Sequence, residues 1–123
     1  MLRHRVAVEV LFMTINSRQK GAAGEREFAK LLQFHGWDAR RGQQFSGGSD
    51  SPDVVCQPLK DFHFEIKRVE AGSLYKWLEQ AKEDAGHNKI PVVMHRRNHK
   101  DWVAILPAGL FLELLAKAGY APF

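Results

Sequence analysis

The alternation of apolar and polar positions predicts a helix over residues 22–35. Glu25, Phe28 and Leu32 recur at helical spacing and therefore share one face. Gly36 follows directly, in the position where many helices end in a left-handed conformation. The pattern predicts a first helix whose inner, largely apolar face also carries a carboxylate.

Three short runs with strand character come next. They cover residues 37–41, 53–57 and 62–68. The turn at residues 58–61 separates the last two runs and predicts a hairpin. The segment from residue 42 to residue 52 is rich in Gly and Ser, and an aperiodic loop of that length is more often functional than not.

The second half of the chain repeats the alternation of helices and strands. We predict a helix from Ser73 to Ala85, strands from Ile90 to Arg96 and from Trp102 to Leu106, and a helix from Ala108 to Ala118. A glycine follows each of these helices. The order of elements predicts an α/β fold with a mixed central β-sheet flanked by helices.

The start of the chain allows two interpretations. Residues 1–12 are either an extension from an upstream start or an extra strand, because valines alternate with other residues between positions 6 and 10. We treat residues 1–16 as this extension or extra strand and residues 17–123 as a single domain. A chain of 123 residues is too short for a catalytic domain plus a separate binding domain.

Composition narrows the class of protein. Eighteen Lys and Arg against 14 Asp and Glu give a net charge of +4, which is compatible with a polyanionic partner. The single cysteine, Cys56, excludes an internal disulfide and a cysteine-based zinc cluster. The N-terminal apolar run is broken by Glu9, so we expect no signal peptide, no membrane partner and a cytoplasmic location in a bacterial or phage-infected cell.

The strand over residues 62–68 carries the candidate chemistry. Strand alternation points Phe62, Phe64 and Ile66 to one face, and Glu65 and Lys67 to the other. Because the apolar face belongs to the core, a carboxylate and an ammonium group share the opposite face. A solvated surface pair is the alternative for these two residues alone.

Two further carboxylates favour a metal site. If the predicted hairpin forms, Asp53 lies near Glu65. Two carboxylates at such a short distance can hold Mg²⁺, or Mn²⁺, rather than zinc. Glu25 lies on an apolar helix face, where a buried carboxylate needs a cation. A metal can activate water, and Lys67 can orient that water or neutralise charge in the transition state. The residues predict metal-dependent phosphodiester hydrolysis.

Basic residues flank these acids. The segment from His95 to Lys100 is either a phosphate-binding turn or a solvated hairpin tip. His63 and Gln80 lie near the predicted site, but we expect neither to act in it. The candidate DNA-binding arginines are Arg40, Arg41, Arg68, Arg96 and Arg97.

Four segments together resemble a known superfamily. The run from Lys20 to Glu27, Ser46 in the loop, Pro52-Asp53 and Glu65-Ile66-Lys67 resemble the PD-(D/E)xK nucleases, and especially the archaeal-type Holliday junction resolvases with their phage and bacterial relatives. The resemblance implies a restriction-endonuclease-like core and contributions to DNA contact from Arg26 and Ser46. It implies metal ligation by Glu25, Asp53 and Glu65, with Lys67 as the catalytic lysine.

The same resemblance implies a homodimer that cleaves branched DNA with Mg²⁺ in recombination and repair, without a small-molecule cofactor. Two alternatives stay open. One is a restriction-like or repair nuclease acting on linear or single-stranded DNA. The other is a DNA-binding module that keeps the fold without turnover.

Overall fold

The structure is a computed structural model that describes residues 21–42 and 54–122. Residues 1–16, Ser46 and Asp53, for which the sequence makes predictions, lie outside the described residues. Residues 21–34 are helical and form α1. The other elements are β1 (Arg40–Arg41), β2 (Val54–Val55), β3 (Phe62–Lys67), α2 (Leu74–Ala85), β4 (Ile90–His95), β5 (Val103–Ile105) and α3 (Ala108–Lys117).

The predicted order of helices and strands is confirmed. Glycines end the helices as expected, with positive φ angles of 92° at Gly36, 63° at Gly86 and 103° at Gly119. The side chain of Ser73 caps α2 by accepting a hydrogen bond from the backbone N–H of Lys76. The first two strands are shorter than predicted, with two residues each.

The main sheet has the order β3-β4-β5. β3 and β4 are parallel, with Phe62 opposite Ile90 and Lys67 opposite His95. β4 and β5 are antiparallel. A parallel pair needs a crossover connection, and α2 supplies it. The mixed α/β sheet predicted from the sequence is confirmed.

The predicted hairpin between β2 and β3 is wrong. In the described part of the chain, β2 pairs antiparallel with β1 and has no ladder with β3. The connection forms a 3₁₀ turn at Gln57–Leu59, where Pro58 fits because its fixed φ suits the first turn of a helix. A cavity of about 130 Å³, lined by Val55 and Phe62 among others, lies where the hairpin ladder was expected.

α1 covers one face of the main sheet. Phe28 is 1% exposed and makes an edge-to-face contact with Phe64, with ring centroids 5.0 Å apart. Its ring also contacts Trp102, at 5.6 Å. Leu32, Ala39 and Cys56 complete the buried cluster. Burial of this apolar face explains why β3 turns its polar residues the other way.

α2 covers the opposite face. Ala81 on the helix and Val93 on β4 are both fully buried, and Ala85 is buried one turn further along. Val93 is the register partner of Glu65, so α2 packs on the face that carries the polar residues of β3. Helices flank the sheet on both sides, as predicted.

One glycine allows α1 to approach β3 closely. A Cβ atom added to Gly24 would lie only 2.6 Å from Cβ of Arg68 and 3.4 Å from Cγ2 of Ile66. Any larger residue would push the helix away from the end of the strand. Gly24 therefore fixes the position of the neighbouring Glu25.

The last helix, α3, is amphipathic but loosely covered. None of its residues is buried, and Phe111 and Leu112 are 50% and 63% exposed. Within residues 21–42 and 54–122, no helix combines the length and the apolar character that a membrane span requires.

Candidate active site

The polar face of β3 brings three side chains together. Nε2 of His63 lies 3.1 Å from Oε2 of Glu65, and Nζ of Lys67 lies 3.6 Å from Oε1 of the same carboxylate. All three residues are partly buried. Glu65 therefore lies between two basic neighbours, each of which contacts a different carboxylate oxygen. The prediction that Glu65 and Lys67 share a face is confirmed.

α2 adds two polar side chains to this face. Nζ of Lys67 donates a hydrogen bond to Oε1 of Gln80 at 3.1 Å. Asp84, four residues later, lies against Glu65. A helix rises about 6 Å over four residues and a strand about 6.6 Å over two, so Gln80 and Asp84 match the spacing of alternate residues on β3.

Three of these residues could hold a metal ion. Potential ligand atoms of His63, Glu65 and Asp84 all lie within 4.8 Å of one another. Among residues 21–42 and 54–122, no other three His, Cys, Asp or Glu side chains come close enough together to hold a metal ion. One nitrogen and two carboxylates form a donor set that suits a divalent cation.

The electrostatics of the two carboxyl groups differ. Burial raises the pKa of Glu65, but the hydrogen bond to His63 and the charge of Lys67 together outweigh it, so the net pKa lies below its ordinary value. Partial burial and the neighbouring charge of Glu65 raise the pKa of Asp84. Glu65 is therefore the carboxylate that stays ionised at the centre of the cluster.

Glu25 is buried, as the helix pattern indicates, but its charge has a protein partner. The residue is 8% exposed, and its Oε2 accepts a hydrogen bond from Nε of Arg41 at 2.6 Å. Glu25 is not part of the His63, Glu65 and Asp84 cluster. Its role as a metal ligand stays a prediction, and so do the roles of Asp53 and Ser46, which lie outside the described residues.

Two of the predicted DNA-binding arginines share one carboxylate. Oε2 of Glu27 lies 2.9 Å from Nε of Arg68 and 3.2 Å from Nη1 of Arg96. Nε of Arg96 also donates to the carbonyl of Lys100, at 2.6 Å. Internal contacts therefore already hold both guanidinium groups.

The basic segment from His95 to Lys100 packs beside the end of β3. The backbone N–H of Arg96 donates to the carbonyl of Lys67 at 3.1 Å. Arg97 donates from Nε to the carbonyl of Glu70 at 2.9 Å, and its side chain is exposed. Arg26 and Arg40 are exposed as well. The backbone of this segment thus lies at the end of β3 that carries Lys67.

Comparison with known proteins decides the family. The model of a family described as phage putative PDDEXK endonuclease matches residues 16–120, which is most of the chain. The chain belongs to this family. No curated protein and no solved structure gives a match.

Membership in a PDDEXK endonuclease family confirms the superfamily that the sequence resembles. It supports nuclease activity with DNA as the substrate, and nucleases of this superfamily generally use divalent metals. The match does not extend to the archaeal type of Holliday junction resolvase.

Sequence reasoning missed Asp84 and set aside His63 and Gln80. One signal was present in the sequence of α2. Ala81 and Ala85 form its buried stripe, and Gln80 and Asp84 each directly precede one of these alanines. A crossover helix that packs on the polar face of β3 must turn such flanking residues towards Glu65 and Lys67.

Proposed function

We propose that the protein is a Mg²⁺-dependent endonuclease that hydrolyses DNA phosphodiester bonds at the polar face of β3. The preferred substrate in this proposal is branched DNA, such as a four-way junction. The observation that carries the proposal is the placement of Lys67, 3.6 Å from Glu65 and hydrogen-bonded to Gln80. A carboxylate and a fixed ammonium group on one face match the requirements of phosphodiester hydrolysis.

The donor chemistry fits a hard divalent cation. Glu65 is ionised, and Asp53 and Glu25 are the further carboxylates that we propose as ligands. Carboxylate oxygens are the protein ligands that Mg²⁺ prefers. When bound, the ion polarises a phosphoryl oxygen and lowers the pKa of a water molecule.

Lys67 is the proposed catalytic lysine. Its ammonium group has three N–H donors, and Gln80 accepts one of them. Because Gln80 is neutral, it orients the ammonium group without neutralising its charge. The remaining donors can orient the attacking water or stabilise negative charge on the phosphoryl group.

Contacts to the DNA backbone come from basic residues around this face in our proposal. Arg26, Arg40 and Arg97 are exposed and can reach phosphates. Arg41, Arg68 and Arg96 are held by acidic residues and would contribute by exchanging those contacts for phosphates. Such contacts bind DNA without reading its sequence.

A homodimer is part of the proposal, because resolving a four-way junction requires two symmetric cuts and each chain supplies one proposed site. The proposed location is the cytoplasm of a bacterial cell, which is the compartment that contains the DNA. Recombination and repair are the proposed processes.

One assay tests the substrate. The protein and Mg²⁺ are incubated with a four-way junction, a linear duplex of the same sequence and the corresponding single strand. Paired symmetric nicks in the junction alone support the proposal. Equal cleavage of the linear or single-stranded DNA would instead favour a restriction-like or repair nuclease. Tight, salt-sensitive binding without cleavage of any form would favour a non-catalytic DNA-binding module.

A further inference from the structure

Glu65 also belongs to a second group of donors, whose other two members, His63 and Asp84, are not in the proposed catalytic set. Its Oε2 faces Nε2 of His63 at 3.1 Å, and one potential ligand atom from each of His63, Glu65 and Asp84 lies within 4.8 Å of the others. We propose that His63, Glu65 and Asp84 form a second divalent cation site, which shares Glu65 with the catalytic set and selects Mn²⁺, Co²⁺ or Zn²⁺ over Mg²⁺. Metal binding at this site does not depend on the proposed function. Only the statement that it lies beside a catalytic site rests on that function.

The backbone holds all three donors. His63 and Glu65 are alternate residues of β3, which is paired along its length with β4. Asp84 directly precedes Ala85 and comes three residues after Ala81, and both alanines are buried in the contact of α2 with the sheet. The donors therefore project from two packed elements rather than from a loop, which favours a preformed site.

Lys67 does not occupy the position of the proposed ion. Its ammonium group contacts Oε1 of Glu65, whereas His63 faces Oε2 of the same carboxylate. A cation bound through Nε2 of His63 and Oε2 of Glu65 would therefore use the carboxylate oxygen that His63 faces, not the one that Lys67 contacts. Two carboxylates and a neutral imidazole also balance the charge of a divalent ion.

The nitrogen donor sets the selectivity. Mg²⁺ demands an octahedral shell of oxygens and loses water reluctantly, so an imidazole ligand suits it poorly. Imidazole suits zinc, and affinity for nitrogen and oxygen sites generally rises along the first transition series. His63 can bind through Nε2 when its proton is on Nδ1. The site therefore discriminates against the ion that we propose for catalysis.

The test is direct binding of metal to the full chain without DNA. Titration calorimetry with Mn²⁺ and with Mg²⁺ measures affinity, and the visible absorption of Co²⁺ reports its ligands. We expect tighter binding of Mn²⁺ than of Mg²⁺. His63→Gln and Asp84→Asn should each weaken Mn²⁺ binding at least about tenfold, since even partners outside the ligand shell contribute that much.

Matched controls separate ligation from a general charge effect. Glu79→Gln makes the same change of charge on the exposed surface of α2 and should leave Mn²⁺ affinity unchanged. Asp84 is exposed, so Asp84→Asn keeps the fold intact even if His63→Gln does not. Wild-type affinity for Mn²⁺ in Asp84→Asn, or no preference for Mn²⁺ over Mg²⁺, would overturn the inference.

The outcome is independent of the proposed nuclease activity. Asp53→Asn should abolish cleavage but keep the binding of Mn²⁺ that depends on His63. A wild-type protein that binds Co²⁺ through His63 yet cleaves no DNA would support this site and refute the proposed function. Cleavage with Mg²⁺ without such binding would refute this site alone.

Discussion

Nζ of Lys67 on β3 donates a hydrogen bond to Oε1 of Gln80 on α2 at 3.1 Å. This contact joins the strand that carries the proposed site to the helix that crosses over it. A neutral amide holds the ammonium group in one direction and leaves its charge available. Gln80 is therefore a positioning residue in our account, and Lys67 is the residue that contacts the reacting phosphate.

The first prediction concerns this positioning. Gln80→Ala should lower kcat for DNA cleavage by about 10- to 100-fold, because small displacements of a catalytic group have effects of that size. DNA affinity, measured by fluorescence anisotropy, should not change. Glu79→Ala, at an exposed neighbouring position on the same helix, is the control and should cleave at the normal rate. A Gln80→Ala variant with wild-type kcat would show that the hydrogen bond has no role in catalysis.

A second prediction concerns the packing of α1 on β3. Gly24→Ala should lower the free energy of unfolding by about 1–3 kcal/mol, because the new methyl group would overlap Cβ of Arg68, which cannot move without the backbone. Urea denaturation measures this change. Gly21→Ala is the matched control on the same helix. A Cβ at Gly21 meets no described atom within 4 Å, so we expect no loss of stability there. Equal stabilities of the two variants would contradict the close approach.

A third prediction concerns the carboxylate of Glu27, which Arg68 and Arg96 share. Glu27→Gln should strengthen DNA binding, since two guanidinium groups become available to phosphates. The plot of log K against log salt concentration should steepen by about 0.9 for each additional phosphate contact. Fluorescence anisotropy at several salt concentrations measures both effects.

The control for Glu27 is Glu113→Gln on α3, which changes the net charge equally at an exposed position. It should have a much smaller effect on affinity. Weaker DNA binding by Glu27→Gln would mean that the carboxylate holds the arginines in their binding conformation.

A fourth prediction separates exposed arginines from those with acidic partners. Arg40→Ala and Arg97→Ala should each reduce DNA affinity and lower the salt slope by about 1, as expected for loss of one phosphate contact. Their side chains are exposed, so the free energy of unfolding should change little. An unchanged salt slope in both variants would remove these residues from the proposed DNA surface.

The sequence predicted the parts of the fold that depend on local patterns. Strand alternation alone placed Glu65 and Lys67 on one face, because side chains change face at every residue. Glycines marked the ends of α1, α2 and α3, because positive φ angles favour them there. These features follow from neighbours a few residues apart.

The features that escaped prediction depend on tertiary contacts. The contact of Gln80 with Lys67 requires α2 to cross over the polar face of β3, and the local pattern of α2 does not specify that placement. Pro58 lies in a 3₁₀ turn rather than in a hairpin, and β2 pairs with the preceding strand, β1. The contact of Arg41 with Glu25, 16 residues away in sequence, was also not foreseen, and it leaves the predicted role of Glu25 as a metal ligand untested.

The central claim is that Lys67 and the carboxylates around it cleave DNA with the help of a divalent metal. The most direct measurement is the Mg²⁺-dependent cleavage of a labelled four-way junction by the wild-type protein and by Lys67→Ala, with DNA binding measured in parallel. Our account predicts cleavage by the wild type that EDTA abolishes, and none by Lys67→Ala although it still binds the junction. Cleavage by Lys67→Ala at the wild-type rate would contradict it.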